Sequence, residues 1–297
     1  MSKTTKGIIL AGGAGTRLYP LTKIITKQLL NIYDKPMIFY PLSLLMLGGI
    51  REVLIITTPH DQASFINLLG DGKQWGIKIE YVIQEKPTGL PDAFILGEKF
   101  IGNDNVTLIL GDNMFYGDIK FFKNALLSPA KAKAFAYPVS DPERYGVIEF
   151  EPNTQKVLSL EEKPKVPKSK YAVPGLYIFD NTVSEKAKRI KPSARGETEI
   201  VELLKMYMEE GGLQAQLISR GVAWLDTGTP KSLLEASAYI SAIEERQGLK
   251  VACLEEIALR MDFITIDFYK QTVSALPECP YKKYLQNVAS EFEGQNA

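Results

Sequence analysis

Short apolar runs and longer helix-period segments alternate along the first 110 residues of the chain. Gly7 to Leu10, Val53 to Thr58, Lys78 to Gln84 and Val106 to Leu110 are β-rich and apolar at successive positions, the pattern of strands buried on both faces. Pro36 to Leu47, Asp61 to Leu69 and Pro91 to Phe100 have helical spacing instead, and Pro36 stands where a proline favours a helix start. Strand and helix in strict alternation predict an α/β fold: a Rossmann-like, mostly parallel sheet with right-handed crossovers and helices on its faces.

Past Asp112 the rhythm changes. Ala132 to Val139, Gly146 to Phe150, Lys156 to Glu161 and Leu176 to Phe179 are strand-like and joined by short turns, which predicts antiparallel additions to the sheet. Helical spacing returns at Glu197 to Glu210 and, behind Pro230, from Lys231 to Gln247. The expected organisation is a core over 1–248, divided near 112, followed by a helical extension over 249–297. No internal repeat or low-complexity tract interrupts it.

Composition narrows the class. Apolar residues make up 45% and charged residues 24%, ordinary for a globular chain with a full core. Lys plus Arg and Asp plus Glu are both 35, so no global field draws nucleic acid or an anionic membrane, and any anion site must be local. The most apolar stretch, Met37 to Ile50, is interrupted by Pro41 and falls short of the roughly 18 residues a bilayer span needs. Glycines and Arg17 follow Ile8 to Leu10 before the apolar core of an export signal could form. Cys253 and Cys279 match neither a zinc pair nor a disulfide framework, so a reducing cytoplasm is the expected setting.

The first strand runs into Leu10-Ala11-Gly12-Gly13-Ala14-Gly15-Thr16-Arg17, a glycine loop whose backbone N–H groups can cradle phosphate. A dinucleotide fingerprint needs glycine or alanine three places after Gly15, where Leu18 stands. A P-loop needs Gly-Lys followed by Ser or Thr, whereas Gly15 is followed by Thr16-Arg17. What remains is a triphosphate loop with its own guanidinium, or a bare tight turn. Asp112, just past the fourth strand, and Asp226, before Thr227-Gly228, are either Asx-turn residues or a pair of oxygen ligands suited to Mg2+. His60, the single histidine, lies in a turn and reads as a surface residue.

Together, Gly12 to Pro20, Thr26 to Leu30, Tyr33 to Ile38, Leu110 to Asn113, Asp141 to Val147, Leu160 to Pro164, Pro192 to Glu197 and Ala223 to Thr229 resemble the sugar nucleotidyltransferase family, in its long-form glucose-1-phosphate thymidylyltransferase branch. The resemblance covers nearly the whole chain. It implies dTTP and glucose 1-phosphate as substrates, in-line attack at the α-phosphorus, and Mg2+ held by Asp112 and Asp226. By the same resemblance Arg17, Lys27 and Lys163 are catalytic cations. Leu10, Gly12, Gly13, Gly15, Thr16, Gln28, Gln84, Gly89 and Asp112 contact the nucleotide. Tyr145, Gly146, Glu162, Val173, Gly175 and Arg195 contact the sugar phosphate, in the part spanning 113–230. Lys165, Lys168 and Lys170 read as solvated loop charges.

Two departures stand out. Glu85 to Ala93 replaces the Gly-Leu-Ala-Gln-Ala pattern usual in the branch, which leaves a UTP-preferring enzyme as an alternative; a catalytically silent sugar-nucleotide sensor is another, since binding motifs survive without turnover. A second, regulatory nucleotide site at a subunit interface is implied at Tyr116, Gly117, Lys250, Val251, Cys253, Glu256 and Arg260, with Asp118 where the branch usually has histidine. The resemblance further implies a homotetramer inhibited by dTDP-rhamnose.

Overall fold

A computed structural model describes residues 4–13, 15–193 and 196–296. β1 (Thr5–Ala11) is followed by a two-strand hairpin, β2 (Asn31–Ile32) and β3 (Lys35–Pro36), and by α1 (Phe39–Leu47). Then come β4 (Glu52–Thr57), α2 (Gln62–Leu69), β5 (Lys78–Ile83), α3 (Asp92–Leu96), α4 (Glu98–Ile101) and β6 (Asn105–Leu110). Next are β7 (Asn113–Tyr116), α5 (Lys120–Leu127), β8 (Ala132–Pro138), β9 (Gly146–Phe150), β10 (Val157–Glu162), β11 (Tyr171–Ala172) and β12 (Leu176–Phe179). The chain ends through α6 (Val183–Ala187), α7 (Ile200–Glu209), β13 (Leu213–Leu217), β14 (Ala223–Asp226), α8 (Pro230–Gln247), α9 (Leu254–Arg260), α10 (Ile266–Ser274) and α11 (Pro280–Asn296).

Among the described residues ten strands form one sheet in the order β10-β9-β11-β8-β12-β6-β1-β4-β5, with β13 also on β8. β1, β4, β5 and β6 are mutually parallel as expected, and β12 joins them antiparallel to β6, so the additions continue the same sheet. Alternation places Ile9 in the core under α1 and α2 and Ile8 in the core under α3 and α7, which is why β1 is apolar at successive positions. β7 and β14 pair antiparallel as a separate ribbon at the carboxyl ends of the parallel strands.

Three expected boundaries move. Pro36 belongs to β3, opposite Asn31, and α1 begins only at Phe39, because Tyr33 turns the chain with a left-handed φ of 58°. Pro91 to Phe100 is two short helices separated at Gly97, where a side chain would meet Ala93 O and Ile8 Cδ1, each at 2.9 Å. Glu197 to Glu210 begins as a helix only at Ile200, since Thr198 pairs with Gly89 as an isolated bridge. The tail is more regular than its mixed signals suggest: α9, α10 and α11 pack around Leu259, Tyr269, Val273, Leu285 and Val288, and α9 contacts α1.

Candidate active site

β1 lies between β4 and β6, so its carboxyl end delivers the glycine loop to the centre of the sheet edge. Gly15 has a φ of 58°, and a Cβ there would come within 2.8 Å of Thr22 Cγ2; Thr22 Oγ1 donates to Gly15 O at 3.1 Å. The following turn, Thr16–Leu18, buries Leu18 and sends Arg17 outward. Gly13, Gly15, Thr16, Arg17, Lys27, Gln28, Asp112 and Gly228 line a cavity of about 240 Å³. Leu10 lies outside this lining, its carbonyl already accepting from Gly111 N at 2.9 Å.

A second cavity of about 280 Å³ adjoins the first and shares Arg17 and Asp112 with it. Tyr145, Gly146, Glu162, Lys163, Val173 and Gly175 line it, as does Asp226. Arg195 and Ala14 lie outside the described residues. Strand register assembles this wall: Glu162 pairs with Gly146, Lys163 N donates to Tyr145 O at 3.0 Å, and Val173 N donates to Gly146 O at 2.8 Å. Lys163 adopts a φ of 45°, a backbone state that is rare for a non-glycine residue and concentrates at functional sites.

Asp112 and Asp226 are brought together by the β7–β14 ribbon, where Asp226 is the register partner of Asn113. Lys27, buried, places Nζ 2.6 Å from Asp112 Oδ2, and Asn113 Nδ2 donates to Asp112 Oδ1 at 3.0 Å. Asp226 Oδ1 accepts from Gly228 N at 3.1 Å. A side chain at Gly228 would lie 3.0 Å from the Arg17 guanidinium, so Gly228 admits that cation to the space beside Asp226. Burial, and then the Asp226 charge, raise Tyr145 above its ordinary range and keep it a neutral hydroxyl.

Sequence reasoning missed Asn113, Trp224, Thr227 and Arg144. Asn113 Oδ1 accepts from Gly175 N at 2.9 Å and from Trp224 Nε1 at 2.8 Å, tying the β7–β14 ribbon to the wall of the second cavity. Thr227 Oγ1 donates to Asp112 O at 3.0 Å, and Arg144 and Trp224 line the second cavity. Asn113, Thr227 and Arg144 had a local signal, each standing beside a singled-out residue (Asp112, Asp226 and Tyr145), but the contacts of Asn113 and Thr227 join segments far apart in sequence.

Gln84 and Gly89 are not among the lining residues of either cavity, although Leu90, next to Gly89, lines the second. A Cβ on Gly12 would sit 2.9 Å from Gln84 Oε1, and Gly89 has a φ of 118°, where a Cβ would fall 2.1 Å from Thr198 O. A third cavity, about 380 Å³, is lined by Tyr116, Gly117, Lys250, Val251, Cys253, Glu256 and Arg260. Asp118 is not on that wall: it is exposed, and the Lys120 backbone N–H and ammonium hold its carboxyl below the usual range.

The profile of the nucleotidyl transferase family matches residues 6–242. A glucose-1-phosphate thymidylyltransferase of Neisseria meningitidis serogroup A is 54% identical over 94% of this chain and 98% of its own length. One from Mycobacterium tuberculosis is 51% identical over 94% of this chain and 97% of its own length. A structure solved with UDP-glucose, a UDP-glucose pyrophosphorylase, superposes with a TM-score of 0.71 at 26% identity, covering 82% of this chain and 99% of the other. The chain therefore belongs to the nucleotidyl transferase family, where its near full-length relatives include glucose-1-phosphate thymidylyltransferases.

Proposed function

We propose that the chain transfers a deoxythymidylyl group from dTTP to α-D-glucose 1-phosphate, giving dTDP-glucose and pyrophosphate. One observation carries this reading: a glycine-loop cavity and a second cavity meet at a shared wall of Arg17 and Asp112. A triphosphate on the loop and a sugar phosphate next door would bring the α-phosphorus and the attacking oxygen together there. That oxygen bonds to the α-phosphorus while the bond to the β-phosphate oxygen breaks, and pyrophosphate leaves. The attacking phosphate is already ionised near neutral pH, so no general base is needed, and the work reduces to alignment and charge neutralisation. Arg17 and Lys27 supply positive charge on the triphosphate side and Lys163 on the sugar side.

Asp112, in the turn just before β7, and Asp226, at the end of its partner strand β14, form an all-oxygen pair, a donor set that fits Mg2+ completed by phosphate oxygens and water. Bound there, the ion would offset charge on the transferring phosphate. Among the described residues no group of three or more His, Cys, Asp or Glu competes for that role. Gln84 and Gly89 are assigned to the base, and the tail cavity to a regulatory nucleotide-sugar such as dTDP-rhamnose in a cytoplasmic homotetramer. The test is pyrophosphate release with dTTP, UTP, CTP, ATP or GTP and glucose 1-phosphate. Magnesium-dependent release with the highest kcat/KM for dTTP is expected, and release with none of the five would refute the assignment.

A further inference from the structure

Gln84 follows β5, with its backbone N–H bonded to Thr57 O at 2.8 Å and its side chain almost fully buried. Its carboxamide Nε2 donates to Asp92 Oδ2 at 2.9 Å. An ionised carboxylate only accepts, so the nitrogen end of the amide must face Asp92 and the oxygen end must face away. Away from Asp92 lies the glycine loop: a Cβ on Gly12 would sit 2.9 Å from Gln84 Oε1. The carbonyl thus stands beside the Gly12 backbone, at the end of β1 where the glycine loop begins. Asp92 is itself well placed to hold the amide. It opens α3, whose first turn is closed by Ala93 N to Leu90 O and Phe94 N to Pro91 O, both 3.1 Å, and Ala93 and Phe94 are fully buried.

We infer that Asp92 is a positioning residue that locks the Gln84 amide with its oxygen toward the nucleotide, so that the site selects pyrimidines carrying an N3–H. This rests on the reading above, in which Gln84 meets the base. Thymine and uracil present an N3–H donor to such an oxygen. Cytosine presents a lone pair at N3, which would face the lone pairs of the amide oxygen, and a hydrogen-bonding site left mismatched rejects a ligand strongly. An amide free to turn would offer cytosine its Nε2 instead, and the distinction would fade. Without Asp92, Gln84 is ambidextrous; with it, the residue reads one polarity.

The test compares dTTP with dCTP on the full chain, by calorimetric binding in the presence of Mg2+ and by kcat/KM with glucose 1-phosphate. Asp92→Asn preserves size but offers both a donor and an acceptor, so Gln84 can turn. The preference for dTTP is expected to fall about tenfold, carried by Kd and KM and not by kcat, mainly through a gain with dCTP. Asp92→Ala is expected to move the same way, Asp92→Glu to retain the preference, and Gln84→Met to lose most of it. Circular dichroism establishes which variants fold, and the near-isosteric Asp92→Asn carries the test if Asp92→Ala does not. An unchanged preference in Asp92→Asn, with the preference lost in Gln84→Met, overturns the role of Asp92 and leaves base reading by Gln84 intact. An unchanged preference in Gln84→Met overturns base reading itself, and this inference with it. A fall in kcat alone in Asp92→Asn would show a merely structural role and also overturn the inference.

Discussion

Single side chains at the shared wall differ in what they touch, and their substitution should separate accordingly. The Asp112 carboxylate is held by Lys27 and Asn113, with Thr227 on its backbone carbonyl, and the Asp226 carboxylate by the Gly228 N–H; an amide keeps an acceptor at each position and gives up only the ion pair to Lys27. Asp112→Asn or Asp226→Asn should therefore fold but lower kcat by at least about a hundredfold, because the ion loses an anionic ligand. Full magnesium-dependent turnover in either folded variant would dismiss the pair as metal ligands. Arg17 lines both cavities whereas Lys163 lines only the second. Arg17→Ala should thus impair use of both substrates, and Lys163→Ala chiefly that of glucose 1-phosphate, each by about tenfold or more in kcat/KM. Matching defects for the two substrates in Lys163→Ala would undo this division.

Elements built from local periodicity were legible in the sequence, and those built from distant pairing were not. β1, β4 and β6 announce themselves through apolar runs because both faces of each strand are covered, whereas β5, at the sheet edge, is mostly half-buried, with Ile79 buried and Lys78 exposed. The β7–β14 ribbon gave no such signal. Its residues pair across about a hundred positions, and its purpose, setting Asp226 beside Asn113, is visible only in register. The same holds for Gly89 and Thr198, whose bridge shortens α7 and fixes the loop at Gly89. Between β7 and α5, sequence reading placed Asp118 near an anion, and the structure seats it just outside the cavity with its charge shared by Lys120. Repulsion of the proposed diphosphate ligand would then act from the rim, at a distance where solvent screening weakens it. Asp118→His should tighten inhibition by dTDP-rhamnose about two- to fivefold and leave uninhibited catalysis unaltered, with the difference shrinking at high salt. Coincident inhibition curves at low salt would remove Asp118 from regulation.

At the scale of the molecule, one buried charge cluster joins the catalytic core to its helical extension. Glu244, near the end of α8 and 4% exposed at its side chain, takes Lys35 Nζ at 2.9 Å from the β2–β3 hairpin and Lys250 Nζ at 2.8 Å from the start of the extension. It also accepts from Val251 N at 2.8 Å, while Asp34 pairs with both lysines. Burial alone would lower Lys250, but its bonds to Asp34 and Glu244 raise it above the ordinary lysine range. Two cations are therefore neutralised by two carboxylates, and removing one carboxylate strands buried positive charge. The hairpin runs directly on from the Lys27–Leu29 turn, since Met37 N bonds Leu30 O and Ile38 N bonds Gln28 O, each at 2.9 Å. Lys250 and Val251 in turn line the tail cavity, so the cluster links that cavity, through the hairpin, to the turn that carries Lys27. Glu244→Gln should lower stability by about 3 kcal/mol in urea unfolding, the size found when one partner of a buried pair is deleted. Asp71→Asn is the control: it breaks the exposed Lys73–Asp71 pair and should leave the unfolding midpoint unmoved. If the two variants unfold alike, the cluster does not hold the extension to the core. If only Glu244→Gln falls, and dTDP-rhamnose inhibition weakens with it, the same four side chains that secure the extension also shape the cavity it encloses.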